Sequence, residues 1–420
     1  MYNTSNKLNG SIELRGDKSI SHRALIVGAL SKGENIIRNL SRCDDVNATI
    51  DCLRKCNIKI EENDGLIKIY GGTLSSPSGS LNCQNSGSTA RMLIGVLSGH
   101  GIQAKLHGDK SLSQRPMKRI IDPLCKSGAI ILHNSGCLPV ELKQGLQSPI
   151  NYKKKTTSAQ VKTALMFASL GIDSLSYISY HKNTRNHLEK ILTFLGYDID
   201  IQNKILIRKS ENKVNGFKIS IPGDISNASF LIGAAVIIQG SKIKIKNVPY
   251  NETRLGFVYS LIKMGARVKI HNIRNLDFEN VCDISAEYTK NLKAIILEGD
   301  DIISMIDEIP IFSIVATQAN GKTRIYNAKE LRVKESDRIS AIFHNLSKMN
   351  ANIVENSDGL EIQGGRKLYN ATINHFNDHR ILMSFEILQL LINGSFNKQM
   401  HACVNVSFPE FYSLIDLLLS

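Results

Sequence analysis

Residues 16–30 read GDKSISHRALIVGAL, and this stretch sets the pattern for the rest of the chain. A dense polar segment, which includes Asp17, Lys18 and Arg23, gives way at once to an apolar run. The change after Asp17 predicts the first turns of a helix. Unpaired backbone N–H groups and the helix dipole favour an anion at that end, and Lys18 and Arg23 add formal positive charge. A capped, solvated helix start explains the stretch equally well, so its meaning depends on whether the pattern recurs.

The pattern does recur, in altered form. GDISNASFLIGAAV from Gly223 is a strong copy, and looser copies begin at Ser86, Thr157, Asp307 and Asn377. Each copy has a polar or charged start, a run of small and apolar residues typical of a helix, and then a glycine. The spacing of roughly 70 residues is too long for the common solenoid repeats and fits a compact subdomain.

A second pattern lies between these copies: a helix, then a strand, a turn and another strand. In residues 52–72, Ile58 and Ile60 alternate with polar residues ahead of an Asn-Asp-Gly turn at 63–65. Such alternation around this turn type predicts paired strands. The repeated unit is therefore predicted to run strand, helix, strand, helix, strand, strand, which is a layer of four strands and two helices.

Six such units predict an α+β fold (α/β repeats) of two domains, each of three βαβαββ units. The midpoint of the chain falls before the strong copy at Gly223. We therefore expect one domain to comprise residues 1–14 and 223–420, and the other residues 15–222. The short strand at 11–14 is expected to cross into the domain of the later repeats. We expect the domains to close on a central cleft lined by polar helix starts, with the short crossings as hinges.

Composition restricts the partners. A net charge of +14 suits anionic partners, but an aromatic content of 6% and the absence of Trp weaken a base-stacking role. The first ten residues carry no apolar signal core and no apolar run reaches transmembrane length, so we expect a cytoplasmic protein without membrane or nucleic-acid partners. The cysteines form no C-x-x-C pair, and Phe376 stands where a zinc helix through His375 and His379 would need Glu. No metal site is therefore expected.

Seven polar clusters carry the candidate chemistry, five at the starts of repeated helices and two just ahead of the second helix of a unit. They supply the cations Lys18, Arg23, Arg91, Arg115, Lys334, Arg338 and Arg380. They also supply Asp307 and Glu335, two carboxylates that could serve as general acid and base. Lys334 and Arg338 are four residues apart, so on one helix they would share a face. Asp307-Glu308 also fits a plain helix cap.

Taken together, these motifs resemble those of the 5-enolpyruvylshikimate-3-phosphate synthase family of 3-phosphoshikimate 1-carboxyvinyltransferases. GDKSISHRA, NSGSTAR, Gln-Arg-Pro at 114–116, SAQ at 158–160, LRVKESDR and NDHR follow the family's order and spacing over essentially the whole chain. The resemblance implies the enolpyruvyl transferase fold, a monomer, and a place in aromatic amino-acid biosynthesis through the shikimate pathway. It implies that the enolpyruvyl group of phosphoenolpyruvate passes to the 5-hydroxyl of shikimate 3-phosphate. Addition and then elimination would release inorganic phosphate, without any metal or organic cofactor.

The resemblance also implies a role for each matched residue. The matches to shikimate 3-phosphate contacts are Lys18, Ser19, Arg23, Ser158, Ala159, Gln160, Asp307 and Lys334. The matches to phosphoenolpyruvate contacts are Lys18, Gly87, Arg115, Gln160, Arg338 and Arg380. The implied catalytic residues are Asp307 as acceptor of the 5-hydroxyl proton, Glu335 for the proton at the methylene carbon, and Lys18. Ala159 replaces a frequent serine and would contribute backbone only, and Thr184-Arg185 stands where many members have serine and a basic residue.

Other functions stay open on the sequence alone. The sister carboxyvinyltransferase that acts on UDP-N-acetylglucosamine shares the fold, but its reactive loop cysteine has no counterpart in Leu112–Pro116. An RNA-end-processing protein built on the same repeat would suit the positive charge, although the low aromatic content and the carboxylates Asp307 and Glu335 argue against it. A phosphate-binding module without catalysis would be expected to lack those carboxylates.

Overall fold

A computed structural model of the chain describes residues 6–63, 65–209, 214–395 and 402–419. Two compact lobes can be distinguished. Lobe 1 comprises Met1–Leu14, Pro222–Asn275 and Asn280–Ser420, and lobe 2 comprises Arg15–Ile221 and Leu276–Glu279. These lobes differ from the expected domain boundaries only at Pro222, which lies in lobe 1, and at residues 276–279, which lie in lobe 2. Residues 276–279 belong to lobe 2 because the buried carboxylate of Glu279 lies 3.1 Å from His187 Nδ1 and also pairs with Lys190.

The elements of the first half follow the predicted order. The chain begins with β1 (Asn9–Glu13), a strand of lobe 1. The first repeat contains α1 (Lys18–Leu30), β2 (Lys32–Arg38), α2 (Asp44–Lys55), β3 (Lys59–Asn63) and β4 (Leu66–Gly71). The second contains β5 (Leu81–Asn82), α3 (Gly87–Gly99), β6 (Ala104–His107), α4 (Lys118–Lys126), β7 (Ile130–Asn134) and β8 (Cys137–Gln144). The third contains β9 (Asn151–Thr156), α5 (Ala159–Ser169), β10 (Ser176–Tyr180), α6 (His187–Phe194), β11 (Ile199–Ile201) and β12 (Lys204–Ile207), and β13 (Asn215–Ser220) follows.

Each repeat of lobe 2 forms one four-stranded sheet. The strand orders are β5-β6-β8-β7, β11-β12-β10-β9 and β13-β2-β4-β3. The first strand of the first repeat is therefore β13, which reaches back to pair in parallel with β2. The predicted strand pair after α2 is confirmed, because β3 and β4 are antiparallel with Asn63 opposite Leu66. Asp64, the middle residue of the predicted turn, lies outside the described residues.

Lobe 1 continues the same architecture. Its fourth repeat contains α7 (Ile225–Ile237), β14 (Lys242–Pro249), α8 (Gly256–Lys263), β15 (Arg267–Leu276) and β16 (Glu279–Glu287). The remaining elements are β17 (Ile296–Leu297), α9 (Asp300–Met305), α10 (Ile309–Ala316), β18 (Lys322–Ile325), α11 (Arg338–Lys348), β19 (Asn352–Asn356), β20 (Gly359–Gln363), α12 (His379–Asn393) and α13 (Phe411–Leu419). Two sheets result, β1-β14-β16-β15 and β17-β18-β20-β19. The predicted α+β fold of βαβαββ repeats is confirmed in these five sheets.

The first strand and the sixth repeat depart from the simple repeat pattern. The expected transfer of the first strand is confirmed, since β1 pairs in parallel with β14, with Asn9 opposite Lys242. The sixth repeat keeps its helix, α12, but residues 364–395 and 402–419 contain no strand of a sixth sheet. Residues 396–401, which connect α12 to the last segment, lie outside the described part of the chain.

The repeated helices form the cores of the lobes. In lobe 2, α3 and α5 touch through glycines: a Cβ on Gly95 would lie 2.1 Å from the Ala164 carbonyl oxygen, and one on Gly99 would lie 2.1 Å from that of Ala168. Both contacts advance by four residues, so the two helices run in the same direction and their starts lie at the same end. None of the helices in the described ranges combines the length and apolar content needed to cross a membrane.

Candidate functional site

The polar residue ahead of most repeated helices is an N-cap. Side chains that accept a hydrogen bond from a first-turn N–H are Asp17, Ser86, Ser158, Asp224 and Asp378. Such caps satisfy one or two of the first-turn N–H groups and leave the positive end of the helix dipole available to an anion. The helix α10 differs, because Glu308 precedes it without a side-chain cap bond. The interpretation of Asp307-Glu308 as a plain cap is therefore wrong: Asp307 pairs with cations instead.

In lobe 2 the starts of α1, α3 and α5 meet. Gln160 of α5 bridges to α3, because its Oε1 accepts from Arg91 Nη1 at 2.6 Å and its Nε2 donates to Ser88 Oγ at 3.0 Å. Arg23 of α1 donates through Nη2 to Thr163 Oγ1 of α5 at 2.8 Å. The three polar helix starts that recur along this part of the sequence thus form one cluster in lobe 2. The positive ends of three helix dipoles and several cations give that cluster a positive potential.

The first turn of α1 contacts side chains from α2, from α1 itself and from the loop ahead of α6. Lys18 Nζ lies 2.8 Å from Asp45 Oδ2, and Arg23 Nη1 donates to the Ser19 carbonyl oxygen at 2.6 Å. Arg185 Nη1 donates to Ser19 Oγ at 3.5 Å. Asp45 was not among the predicted residues. The available signal was the acidic pair at the start of α2, which has an ordinary explanation as first-turn dipole charge.

His22 lies within this positive cluster but adds no charge to it. Its Nδ1 is 2.7 Å from Thr49 Oγ1, and its side chain is fully buried. Burial, followed by the charges of Lys18 and Arg23, keeps the pKa of His22 well below its usual range. The imidazole is therefore neutral at pH 7, and the positive potential comes from the lysine and arginine side chains.

Gly87, at the start of α3, makes room for two guanidinium groups. A Cβ at this position would lie 2.6 Å from Arg91 Nη1 and 3.4 Å from Arg115 Nη1. Arg115 in turn donates through Nη2 to Asn85 Oδ1 at 2.8 Å, and the Asn85 amide donates to Asp109 Oδ2 at 2.7 Å. The sequence-predicted residues Gly87 and Arg115 are thus brought together, with Asn85 and Asp109 fixing the arginine.

In lobe 1 the predicted carboxylates and cations form a second cluster. Asp307 Oδ1 lies 3.2 Å from Lys334 Nζ and 3.3 Å from Arg338 Nη1, and Glu335 Oε2 accepts from Arg338 Nη2 at 2.6 Å. The spacing of four residues suggested that Lys334 and Arg338 share a face of one helix, and this prediction is wrong. Lys334 follows a 3₁₀ helix over Lys329–Val333, whereas Arg338 opens α11. The two cations meet because both contact the same oxygen of Asp307.

Arg338 is fully buried and its third partner is Asp378. Its Nε donates to Asp378 Oδ2 at 2.8 Å, while the same carboxylate caps α12. Burial acts to lower the pKa of Arg338, but Asp378, Glu335 and Asp307 outweigh it and raise that pKa. Burial acts to raise the pKa of Asp378, and Arg338 outweighs it and keeps that pKa low. Sequence reasoning assigned no role to Asp378, although it occupies the capping position that Asp17 holds in its own repeat.

Arg380 joins the starts of α7, α10 and α12. Its Nη1 donates to Ser226 Oγ at 2.8 Å and to the Asp307 carbonyl oxygen at 2.9 Å. Glu308 accepts from Ser226 and lies 3.8 Å from Arg380 Nη1. The main chain of Asp307 is therefore fixed by the same arginine that the sequence analysis matched to a phosphoenolpyruvate contact.

The two clusters differ in the chemistry that they can support. The lobe 2 cluster joins cations to the starts of three helices, which suits a phosphorylated anion. The lobe 1 cluster places Asp307 and Glu335 against Lys334 and Arg338, which suits proton transfer beside a developing negative charge. In the part of the chain that the structure describes, no group of three or more His, Cys, Asp and Glu side chains is arranged to hold a metal ion.

Known proteins match the chain over nearly its full length. A family model described as EPSP synthase (3-phosphoshikimate 1-carboxyvinyltransferase) matches residues 2–415. The 3-phosphoshikimate 1-carboxyvinyltransferase of Endomicrobium trichonymphae is 39% identical over 98% of this chain and 97% of its own length. That of Caldicellulosiruptor bescii is 41% identical over 97% of this chain and 96% of its own length.

Solved structures agree with this similarity. An EPSP synthase from Acinetobacter baumannii superposes with a TM-score of 0.84 at 32% identity, covering 100% of this chain and 98% of that one. The enolpyruvyl transferase NikO from Streptomyces tendae, at 15% identity and a TM-score of 0.75 over 99% and 96% of the two chains, shares the fold. Sequence identity over the full length, the βαβαββ repeats and the motif residues agree, and the chain therefore belongs to the EPSP synthase (3-phosphoshikimate 1-carboxyvinyltransferase) family.

Proposed function

We propose that the protein transfers the enolpyruvyl group of phosphoenolpyruvate to the 5-hydroxyl of shikimate 3-phosphate and releases inorganic phosphate. The product is 5-enolpyruvylshikimate 3-phosphate, and the protein is a transferase of aromatic amino-acid biosynthesis. The observation that carries the proposal is the contact of both Lys334 and Arg338 with one carboxylate oxygen of Asp307, at 3.2 and 3.3 Å. The two cations orient the carboxylate, and Lys334 stands beside it to stabilise the hydroxyl oxygen that gains negative charge as it loses its proton.

We assign the binding of shikimate 3-phosphate to the residues of lobe 2 that gather at the helix starts, together with Asp307 and Lys334 of lobe 1. The lobe 2 residues are Lys18, Ser19, Arg23, Ser158, Ala159 and Gln160. Support comes from the buried Arg23, whose two terminal nitrogens are oriented by Ser19 and Thr163. A pre-oriented guanidinium at a helix start is suited to a phosphate group.

We assign phosphoenolpyruvate to Lys18, Gly87, Arg115, Gln160, Arg338 and Arg380. Its carboxylate and phosphate need several cations, and these residues provide three guanidinium groups. Each guanidinium is positioned by a hydrogen-bond acceptor: Asn85 for Arg115, Asp378 for Arg338 and Ser226 for Arg380. Fixed donors of this kind can stabilise charge that develops during the reaction without reorganising.

The proposed reaction has two steps. In the first, Asp307 accepts the 5-hydroxyl proton while the hydroxyl oxygen bonds to the central carbon of phosphoenolpyruvate and the methylene carbon gains a proton. In the second, the methyl group loses a proton, the double bond re-forms, and the bond to phosphate breaks. Glu335 is proposed to move the proton at the methylene carbon, and Lys334 to stabilise the oxygen that is losing its proton.

The relatives favour this reaction over transfer to UDP-N-acetylglucosamine, since those named above are 3-phosphoshikimate 1-carboxyvinyltransferases. We propose in addition that the protein acts as a monomer in the cytoplasm and takes small-molecule substrates alone. Sedimentation velocity at micromolar concentration tests the first of these statements, and a dimer would contradict it.

The decisive test is phosphate release from purified protein supplied with phosphoenolpyruvate and shikimate 3-phosphate, in the presence of EDTA. We expect release that requires both substrates and is insensitive to the chelator. Release with UDP-N-acetylglucosamine in place of shikimate 3-phosphate would transfer the assignment to the sister reaction. Absence of release with either acceptor would refute the proposed function.

A further inference from the structure

A buried ion pair lies behind the substrate-binding helix starts of lobe 2. Lys162, in the first turns of α5, has no exposed side-chain surface, and its Nζ pairs with the carboxylate of Glu189 on α6, which is also buried. The same Nζ donates to the main-chain carbonyl oxygen of Thr184 at 3.1 Å and lies 4.7 Å from the centre of the Tyr180 ring. Burying two charges is costly, and an apolar pair of similar volume would fill the same space at no greater cost.

The pair fixes a segment that reaches the candidate site. Thr184 is held at two points, since its carbonyl accepts from Lys162 and its hydroxyl donates to the Thr156 carbonyl at 3.2 Å. The next residue is Arg185, whose Nη1 donates to Ser19 Oγ at 3.5 Å. An unbroken chain of contacts thus runs from the buried lysine to the first turn of α1.

The contact between Lys162 and the Thr184 carbonyl is strongest when the lysine is charged. Burial lowers the pKa of Lys162 from its usual value, and Glu189 opposes that effect. Arg23 is the other cation that acts on Lys162, while Glu189 is the anion that does so. Without Glu189 the lysine would face Arg23 and the low-dielectric interior alone, so the carboxylate keeps an ammonium group available to the Thr184 carbonyl.

We propose that Lys162 and Glu189 form a positioning pair for shikimate 3-phosphate binding, which holds Thr184 and so keeps Arg185 against Ser19. The proposal rests on the proposed function, because Ser19 is one of the residues assigned there to shikimate 3-phosphate. A positioning role and a purely structural role predict different results when the pair is replaced. Replacement of the pair by apolar side chains should preserve folding while weakening the binding of this one substrate.

The test is a double-mutant cycle between the ion pair and Arg185. The swap Lys162→Met/Glu189→Leu removes both charges, whereas Lys162→Met alone leaves Glu189 buried without its cation and should lower stability strongly. We expect the swap to keep the wild-type urea midpoint approximately and to raise the shikimate 3-phosphate Kd about tenfold or more. KM for phosphoenolpyruvate should change by less than about twofold. Removal of an exposed ion pair, Lys59→Met/Glu61→Gln, serves as the control and should change neither constant.

In an Arg185→Ala background the swap should have no further effect on the shikimate 3-phosphate Kd, because the pair would act through Arg185. Additive effects, or an unchanged Kd in the swap alone, would overturn the proposal and leave the proposed function intact. Equal losses for both substrates would also overturn it. If the swap does not fold cooperatively, Glu189→Gln completes the same cycle. A wild-type protein that binds no shikimate 3-phosphate would instead refute the proposed function itself.

Discussion

Arg338 shows how a single side chain can set the geometry of several others. Its guanidinium contacts Asp307, Glu335 and Asp378, and it has almost no exposed surface. A planar group with donors at fixed angles fixes the directions from which carboxylates can approach it. The two proposed proton-transfer groups, Asp307 and Glu335, are therefore held in place by one arginine, which is itself anchored by the N-cap of α12.

The substitution Asp307→Asn tests the proton acceptor. Asparagine keeps the shape and one oxygen for Lys334, but it cannot accept the hydroxyl proton. We expect kcat to fall about 10²- to 10⁴-fold, while the Kd for shikimate 3-phosphate changes by less than about threefold. Phosphate release and calorimetric binding measure the two quantities. Asp301→Asn, which removes an ion pair with Lys263, is the matched control and should keep wild-type turnover. Wild-type kcat in Asp307→Asn would rule out the assigned role.

The buried His22 should make the folded protein less stable in acid. Its folded-state pKa is depressed, so the unfolded chain takes up a proton near pH 6.5 while the folded protein does not. The contribution of His22 to the free energy of unfolding is constant above pH 6.5. At lower pH the free energy of unfolding decreases, by up to about 1.4 kcal/mol per pH unit. Urea unfolding at about pH 7.5 and about pH 5.5 measures the loss, which should be smaller in His22→Asn.

An equal loss in His22→Asn and the wild type would show that protonation of His22 is not linked to unfolding.

The features that can be predicted from the sequence are those with local causes, such as helix starts. A polar residue followed by an apolar run specifies an N-cap, and Asp17 and Ser158 are both caps. The local sequence left open whether Asp307 is a helix cap, because nothing within a few residues indicates that Lys334 will lie beside it. Asp45 was missed for the same reason, since its partner Lys18 is on another helix. Ion pairs between distant segments depend on the tertiary fold, which a single sequence does not display.

At the scale of elements, the repeat predicts most of the strands and helices but not every pairing partner. The order strand, helix, strand, helix, strand, strand is visible in the sequence because alternation and helix starts are local patterns. Local patterns do not predict that β13 completes the sheet of the first repeat. Its pairing with β2 joins residues nearly two hundred positions apart, and the alternating pattern of a strand does not specify which sheet it joins.

The close contact of α3 and α5 gives a prediction at this scale. The Cβ of Gly95→Ala would lie 2.1 Å from the Ala164 carbonyl oxygen, a main-chain atom that cannot rotate away. We expect the variant to lose about 1–3 kcal/mol in the free energy of unfolding, measured with urea, because the helices must separate. The matched control is Gly79→Ala, where no atom lies within 4 Å of the new Cβ. Equal stability of Gly95→Ala and Gly79→Ala would contradict the tight helix contact.

At the scale of the whole molecule, the proposed roles divide between the lobes. Six of the eight residues assigned to shikimate 3-phosphate lie in lobe 2, and the proposed proton acceptor Asp307 lies in lobe 1. Lobe 2 is almost continuous in sequence, with three sheets and a hydrophobic core that lies within Arg15–Ile221 except for Phe278. The division therefore separates binding from turnover in a way that a fragment can test.

A fragment of residues 15–221 should fold alone and bind shikimate 3-phosphate without catalysing transfer. It lacks Phe278 and Glu279, which pack on lobe 2, and His187 and Lys190 lose their carboxylate partner. We expect lower stability, but the three sheets should persist because all their strands lie within residues 15–221. We expect a cooperative urea transition and a Kd about 10- to 100-fold weaker than that of the full chain, because Asp307 and Lys334 are missing. The same fragment with Arg23→Ala is the control, and it should lose the remaining binding. A folded fragment without measurable affinity at millimolar ligand, or with equal affinity before and after Arg23→Ala, would mean that the phosphate is held by residues outside lobe 2.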